Sequence, residues 1–179
     1  SSRGEKLPHY TEVGVGFSKM CLTPMLEYGR QALEDNKKGV ATEALEQVAL
    51  AIVVTTAIVS IFLTRDFTPD YNSGLAHACF YALTAYPVIE KEHLHGEVVG
   101  FGVLYALLVD GQQEEFEKIY ALNKELGLPV RIADIGITEE QFFETMDRIP
   151  QMSDIRHYPY AVTKEMLMKA YETIEQLPV

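Results

Sequence analysis

Basic residues are scarce in this sequence, cysteines are scarcer, and β-strand patterning is missing. Fifteen Lys and Arg stand against 26 Asp and Glu, for a formal net charge of −11. Contact with a phosphate backbone needs clustered Lys and Arg, and no such cluster occurs, so nucleic acid is excluded as a partner. The acidity reads as a solvated surface. Two cysteines, Cys21 and Cys79, each lie in an apolar stretch. They read as small buried hydrophobes in a reducing compartment, not as a disulfide framework, which makes the expected location cytoplasmic. The opening SSRGEKLPHY lacks an apolar core and is not a signal peptide. No segment alternates apolar and polar residues over a useful length, no repeat is evident, and nothing is low-complexity.

What is present is helical periodicity. With 179 residues, 47% hydrophobic and 23% charged, the chain is long enough for one domain with a real core and too short for two ordinary ones. Residues 1–179 are therefore expected to form a single helical domain. Phe17, Met20, Cys21, Met25, Leu26 and Leu33 recur at helical spacing, with Pro24 as an expected kink. Gly39 should end that helix and Thr42 cap the next, which runs to about Leu63. Thr68-Pro69 resembles a helix start, Pro87 should close a third helix, and residues 88–94 should form a charged connection. Helices are expected over GEVVGFGVLYALLVDG and QEEFEKIYALNKELG, after the Thr138–Gln141 capping box, and after Thr163. The fold class is all-α, a bundle of about seven helices.

One run calls for a membrane test. Val48 to Leu63 is sixteen residues without a charge, whereas a span needs about 20 apolar residues. Thr55, Thr56 and Ser60 interrupt it, and Arg65 and Asp66 follow directly. It reads as the buried end of one long helix in a soluble core, with no membrane partner.

The stretch EKEHLHGEVVGFG, residues 90–102, holds two histidines and three glycines. Phosphate-binding glycines sit between a strand and a helix as G-x-G-x-x-G or G-x-x-x-x-G-K-[ST]. Gly96, Gly100 and Gly102 fit neither pattern, and GVGFSK at Gly14 fails the same test. Gly100 and Gly102 read instead as positions where another helix comes close. Among the histidines, His93 should face solvent in a charged turn, and His9 and His157 carry no pattern. His77 and His95 differ, because they fall on consecutive helices that a short connection would pack against each other. Their rings would then share a crevice, where imidazole nitrogens serve a divalent metal; the bland alternative is two structural histidines. Two ligands are also fewer than the three protein ligands of an ordinary catalytic site. Cys79 is two residues from His77 and faces another side of the helix, so no Cys-His pair forms. Glu114-Glu115 and Glu139-Glu140 read as helix starts.

The string SGLAHACFYALT followed by EKEHLHGEVVGFGVLYALLV resembles the metal-binding core of the iron-containing alcohol dehydrogenase superfamily, in its glycerol dehydrogenase and hydroxycarboxylate dehydrogenase branches. Those proteins carry a G-L-A-x-A-H-A helix and then an H-G-x-x-V-A-[FY]-G helix start, with both histidines as metal ligands. GLAHA supplies His77 and HGEVVGFG supplies His95, eighteen residues on. ALNKELGLPVRIADIGI, IRHYPYAVTKEMLMKAY and MLEYGRQAL are similar to further segments of that family, in order, from about residue 10 onward. Three departures accompany the likeness. Nothing is similar to the family's glycine-rich nicotinamide-nucleotide turn. Its third metal ligand, an Asp in a G-x-G-D segment, has no counterpart. Where relatives have H-N-G, this chain has Phe80, Tyr81 and Ala82, which places Phe80 and Tyr81 at the substrate end of the cleft.

The resemblance implies the helical, metal-carrying half of an NAD(P)-dependent dehydrogenase acting on a small polyol or 2-hydroxy acid. His77 and His95 would hold a divalent metal, zinc or iron. NAD(P) would enter only through a nucleotide-binding domain outside these residues, and the chain alone is expected to be inactive. The competing expectation is a non-catalytic helical module used for binding or assembly, favoured by the more apolar Phe80-Tyr81 pair. Oligomeric state stays open, with exposed apolar surface favouring a homo-oligomer.

Overall fold

The structure, a computed structural model, describes residues 5–64 and 71–178; the expected helix start at Thr68-Pro69 lies outside them. Packing divides the chain into two compact units, Gly4–Asn72 and a second beginning at Ser73. Among the described residues no strand occurs, and the fold is all-α.

The first unit is a helical hairpin. Helix α1, His9–Lys38, continues through Pro24 without a break and ends on Gly39 in the left-handed region, φ 68°. Glycine pays no Cβ penalty in that conformation. Thr42 then caps α2, Glu43–Leu50, by accepting from the Leu45 amide at 3.3 Å. The corner is braced by Asp35, which is buried and accepts from Gln31 Nε2 at 2.7 Å and Thr42 Oγ1 at 2.6 Å. The Thr42 bond, with Gln31 behind it, holds the Asp35 carboxyl below its ordinary range despite desolvation. A π turn, Ala51–Thr55, joins α2 to α3, Thr56–Leu63.

Val48–Leu63 is not the buried end of a core helix. Within α2–α3 the residues Ala44, Ala51, Val59 and Leu63 are buried. Ile52, Val53, Val54, Ile58 and Ile61 are exposed, Ile61 by 72%. The cause is the pattern: the helix is apolar all round, and α1 covers only one stripe of it. By length and composition, Glu43–Leu63 is long and apolar enough to cross a membrane, and 11% of its apolar window is buried.

The second unit is a layered bundle. Its helices are α4 (Leu75–Leu83), α5 (Pro87–Glu92), α6 (His95–Val109), α7 (Gln113–Leu126), α8 (Glu139–Arg148) and α9 (Lys164–Glu175). Of residues 88–94, expected as a charged connection, those up to Glu92 belong to the short helix α5. Pro87 occupies its first turn, where a missing N–H costs nothing, and Ile89 is fully buried beneath it. The Thr138–Gln141 capping box closes both ways, Gln141 N to Thr138 Oγ1 at 3.3 Å and Thr138 N to Gln141 Oε1 at 3.0 Å. Thr163 caps α9 as expected. Phe101, Tyr105 and Phe142 form an aromatic centre with ring separations of 5.0–5.9 Å, in tilted and edge-on pairs. Both cysteines are free.

Candidate functional site

The site is built where α4 meets α6. On α4 the buried residues are Leu75, Ala78, Cys79, Ala82 and Leu83, one helical stripe facing the core. His77, Phe80 and Tyr81 fall at i, i+3 and i+4 on a second stripe that stays half-buried to exposed. On α6, Val98, Phe101, Gly102, Leu104 and Tyr105 are buried. His95 is the first residue of that helix and is exposed. Its turn is fastened by Glu97, whose carboxylate accepts from the Leu94 amide at 3.0 Å.

One glycine decides how closely the two helices approach. A Cβ on Gly102 would lie 2.6 Å from the Ala76 carbonyl oxygen and 3.0 Å from its Cα. Both are backbone atoms, so no side-chain adjustment makes room. Ala76 is against Gly102 while Phe80, one turn later, is against His95, so α4 and α6 run in opposite directions. Gly100 is not a close-packing position: its nearest neighbour would be Asn123 Nδ2 at 4.0 Å.

The antiparallel crossing brings the His77 and His95 rings together, with centroids 5.7 Å apart and planes tilted by 44°. Two imidazoles on one tetrahedral ion, with metal–nitrogen distances of about 2.0–2.1 Å, hold their ring centres about 5–6 Å apart. The spacing of the pair therefore fits a shared ion. Burial lowers the pKa of His77, the facing His95 lowers it further, and Asp154 opposes both. The shift favours the neutral imidazole, the form whose nitrogen is free to bind metal. Phe80 packs edge-on to His95 at 4.5 Å. Tyr81 sits 6.5 Å from His77 and 5.3 Å from Phe80.

Asp154 carries no signal in the sequence. It lies on the short 3-10 turn Ser153–Ile155, which packs against α4, 77 positions beyond His77, and only the fold puts its charge there. Among the described residues no group of three His, Cys, Asp or Glu side chains comes close enough to hold a metal ion. The donor set present fits two positions of a metal centre and does not itself supply a third.

The other candidates separate cleanly. Cys79 is fully buried, and burial pushes its thiol up to about 12, which makes it inert as a nucleophile. His93 does not face solvent: its side chain is 15% exposed and its Nδ1 lies 3.5 Å from Glu97. It borders a concavity of about 610 Å³ with Glu92, Tyr120, Lys124 and Arg131, which none of His77, Phe80, Tyr81 or His95 lines. Glu139 and Glu140 open α8, as their spacing predicts, and Glu139 accepts from the Tyr171 hydroxyl.

An all-α unit with a histidine pair on two antiparallel helices can be set beside known proteins. No family model matches the chain. A glycerol dehydrogenase of Escherichia coli O6:H1 is 31% identical over 134 residues, 73% of this chain and 33% of that protein. Hydroxycarboxylate dehydrogenase A of Escherichia coli K12 is 25% identical over 176 residues, 96% of this chain and 47% of that protein. Among solved structures, a probable glycerol dehydrogenase from Sinorhizobium meliloti 1021 superposes with a TM-score of 0.74 over 92% of this chain and 45% of its own, at 21% identity. The chain thus spans between a quarter and a half of the length of the relatives it matches. It is related to the iron-containing alcohol dehydrogenase superfamily, on its glycerol dehydrogenase and hydroxycarboxylate dehydrogenase branch, and its all-α fold is that of the superfamily's helical domain.

Proposed function

We propose that this chain forms the metal- and substrate-binding part of an NAD(P)-dependent dehydrogenase of small polyols or 2-hydroxycarboxylates. The observation that carries the reading is the His77–His95 pair, two imidazoles 5.7 Å apart on helices locked by Gly102. The relatives' printed names, glycerol dehydrogenase and hydroxycarboxylate dehydrogenase, support the substrate class. A divalent ion at this pair would supply Lewis acidity to a substrate hydroxyl. Within the chain, burial and the facing His95 favour the neutral form of His77, the form that presents a lone pair. Phe80 braces the His95 ring from the side and limits how it turns. Tyr81 borders the same surface and is 46% exposed. The nicotinamide cofactor would be held outside these residues.

The test is an assay of the gene product at its native length for NAD(P)-linked oxidation of glycerol and 2-hydroxy acids, with His77→Ala and His95→Ala alongside. Second-sphere partners of metal ligands typically contribute 10–100-fold, so loss of a ligand should lower turnover by more than about 100-fold. Turnover that survives both substitutions contradicts the reading. A second reading, a non-catalytic helical module derived from the same family, is favoured by Phe80 packing edge-on against His95. It predicts a native product with no such turnover.

A further inference from the structure

We infer that the exposed apolar face of the Gly4–Asn72 hairpin is where two copies of this chain associate, hairpin on hairpin, as a four-helix bundle. The inference stands apart from the metal-site reading. On α1, Tyr10, Phe17 and Met20 are exposed and Val13 is half-buried. Their 3-4-3 spacing is that of a seam that receives a second helix. It runs beside the stripe of Thr11, Gly14 and Ala32 that α1 buries. Leu50, Val54, Ile58 and Ile61 form an exposed stripe on α2–α3. The π turn Ala51–Thr55 widens that helix and keeps residues four apart in line across it. Gly14 meets Phe62 and Leu63. Counted from that contact, the right-handed sense of the two antiparallel helices puts both stripes on one side of the hairpin.

Area and charge together point to a second copy as the occupant. The seven exposed side chains of the face offer roughly 650 Å², against about 800 Å² per partner in a standard interface. Two copies would bury roughly 1,300 Å² in all, within the range of specific interfaces. No position on the face is charged, and its one strong hydrogen-bonding group is the Tyr10 hydroxyl at the margin. The face can therefore meet its own copy across a twofold axis without opposing like charges. A bilayer fits less well. Helix α1 packs along α2–α3 and would have to enter with it, carrying Lys19, Glu27 and Arg30. The net charge of −11 opposes adsorption on an anionic surface.

The test is sedimentation equilibrium of the gene product at its native length, at micromolar concentration, with substitutions on both sides of the hairpin. A dimer of twice the chain mass is expected. Ile61→Glu and Phe17→Glu should each raise its dissociation constant by at least about 10-fold. Ile52→Glu, at an exposed residue on the other side of the hairpin, should change it by no more than about 2-fold. Circular dichroism checks that helicity is kept, and Ile61→Ser replaces either glutamate variant that loses it. A monomer overturns the inference, and so does a dimer that tolerates the substitutions at Ile61 and Phe17. Equal loss with Ile52→Glu overturns it in favour of unspecific apolar association. A monomer that floats with neutral phosphatidylcholine vesicles overturns it in favour of lipid.

Discussion

The hairpin of Gly4–Asn72 and the bundle beginning at Ser73 are both rich in apolar residues, yet they use them differently. The bundle buries whole large side chains: Tyr105, Phe101, Phe116, Phe142, Leu83 and Ile89 are fully enclosed. In the hairpin most buried positions are small or polar, Thr11, Gly14, Ala32, Asp35, Ala44 and Ala51, with Val59 and Leu63 the larger ones, while Val53, Ile58 and Ile61 stay exposed. A core needs more than apolar content. α8 presents one buried stripe, Phe142, Thr145 and Met146, and meets partners on that side. The Val48–Leu63 run of α2–α3 carries no charge on any side and meets α1 on one. The bundle is accordingly the part rigid enough to hold two imidazoles at a fixed spacing.

Paired substitutions sharpen this contrast. Phe101→Ala should lower the stability of the bundle by about 3–5 kcal/mol, since it empties the aromatic centre. Val53→Ala, at a side chain 68% exposed, should change the hairpin by less than about 0.5 kcal/mol. Urea unfolding of both variants checks the pair, and similar shifts in midpoint would erase the distinction. Gly102→Ala should come next, at about 3 kcal/mol, because its Cβ meets the Ala76 backbone and α4 and α6 must separate. It should also pull His77 from His95 and weaken metal binding. The matching change in the hairpin, Gly14→Ala, meets side-chain atoms, Phe62 Cβ at 2.8 Å and Leu63 Cδ2 at 3.0 Å. Phe62 Cβ moves only with its backbone, so α1 and α3 must also part, and about 1–3 kcal/mol is expected, with no effect on metal.

Smaller effects belong to the hairpin corner. Thr42→Ala removes the cap of α2 and should cost about 1 kcal/mol, seen as a lower thermal midpoint. Asp35 gives a pH signature there. Its carboxyl is held below its ordinary value in the fold, so the ionised form is the one the fold favours. The stability it contributes is complete above the unfolded carboxyl's pKa of about 3.9 and is lost as pH falls through the lower folded value. Asp35→Asn should therefore flatten the acid limb of the hairpin's stability curve, and an unchanged limb would place the acid sensitivity elsewhere.

Much of this was legible in the residues, because the signals were local. Gly39, Thr42, the Thr138–Gln141 box and Thr163 mark helix ends through chemistry confined to one turn, and the structure places caps at all four. Pro87 misled for the same local reason: a proline that ends one helix can open the next, and the buried Ile89 that settles the matter is a tertiary fact. Burial of the Val48–Leu63 run could not be read, since periodicity assigns a face only where polar residues mark the other. At the site, the two histidines could be picked out by spacing and by family likeness. The approach of Asp154, the packing of Phe80 on His95 and the contact between Gly102 and Ala76 depend on how helices cross.

The central claim is that His77 and His95 act together on one ion, and calorimetric titration of the chain with Zn²⁺ tests it most directly. His77→Ala, His95→Ala and the double variant are measured beside the unaltered protein. The account predicts that each single change weakens binding by at least about 10-fold and that the double variant is little worse than either, because one ion needs both rings. Single variants that bind Zn²⁺ as tightly as the unaltered chain would contradict it.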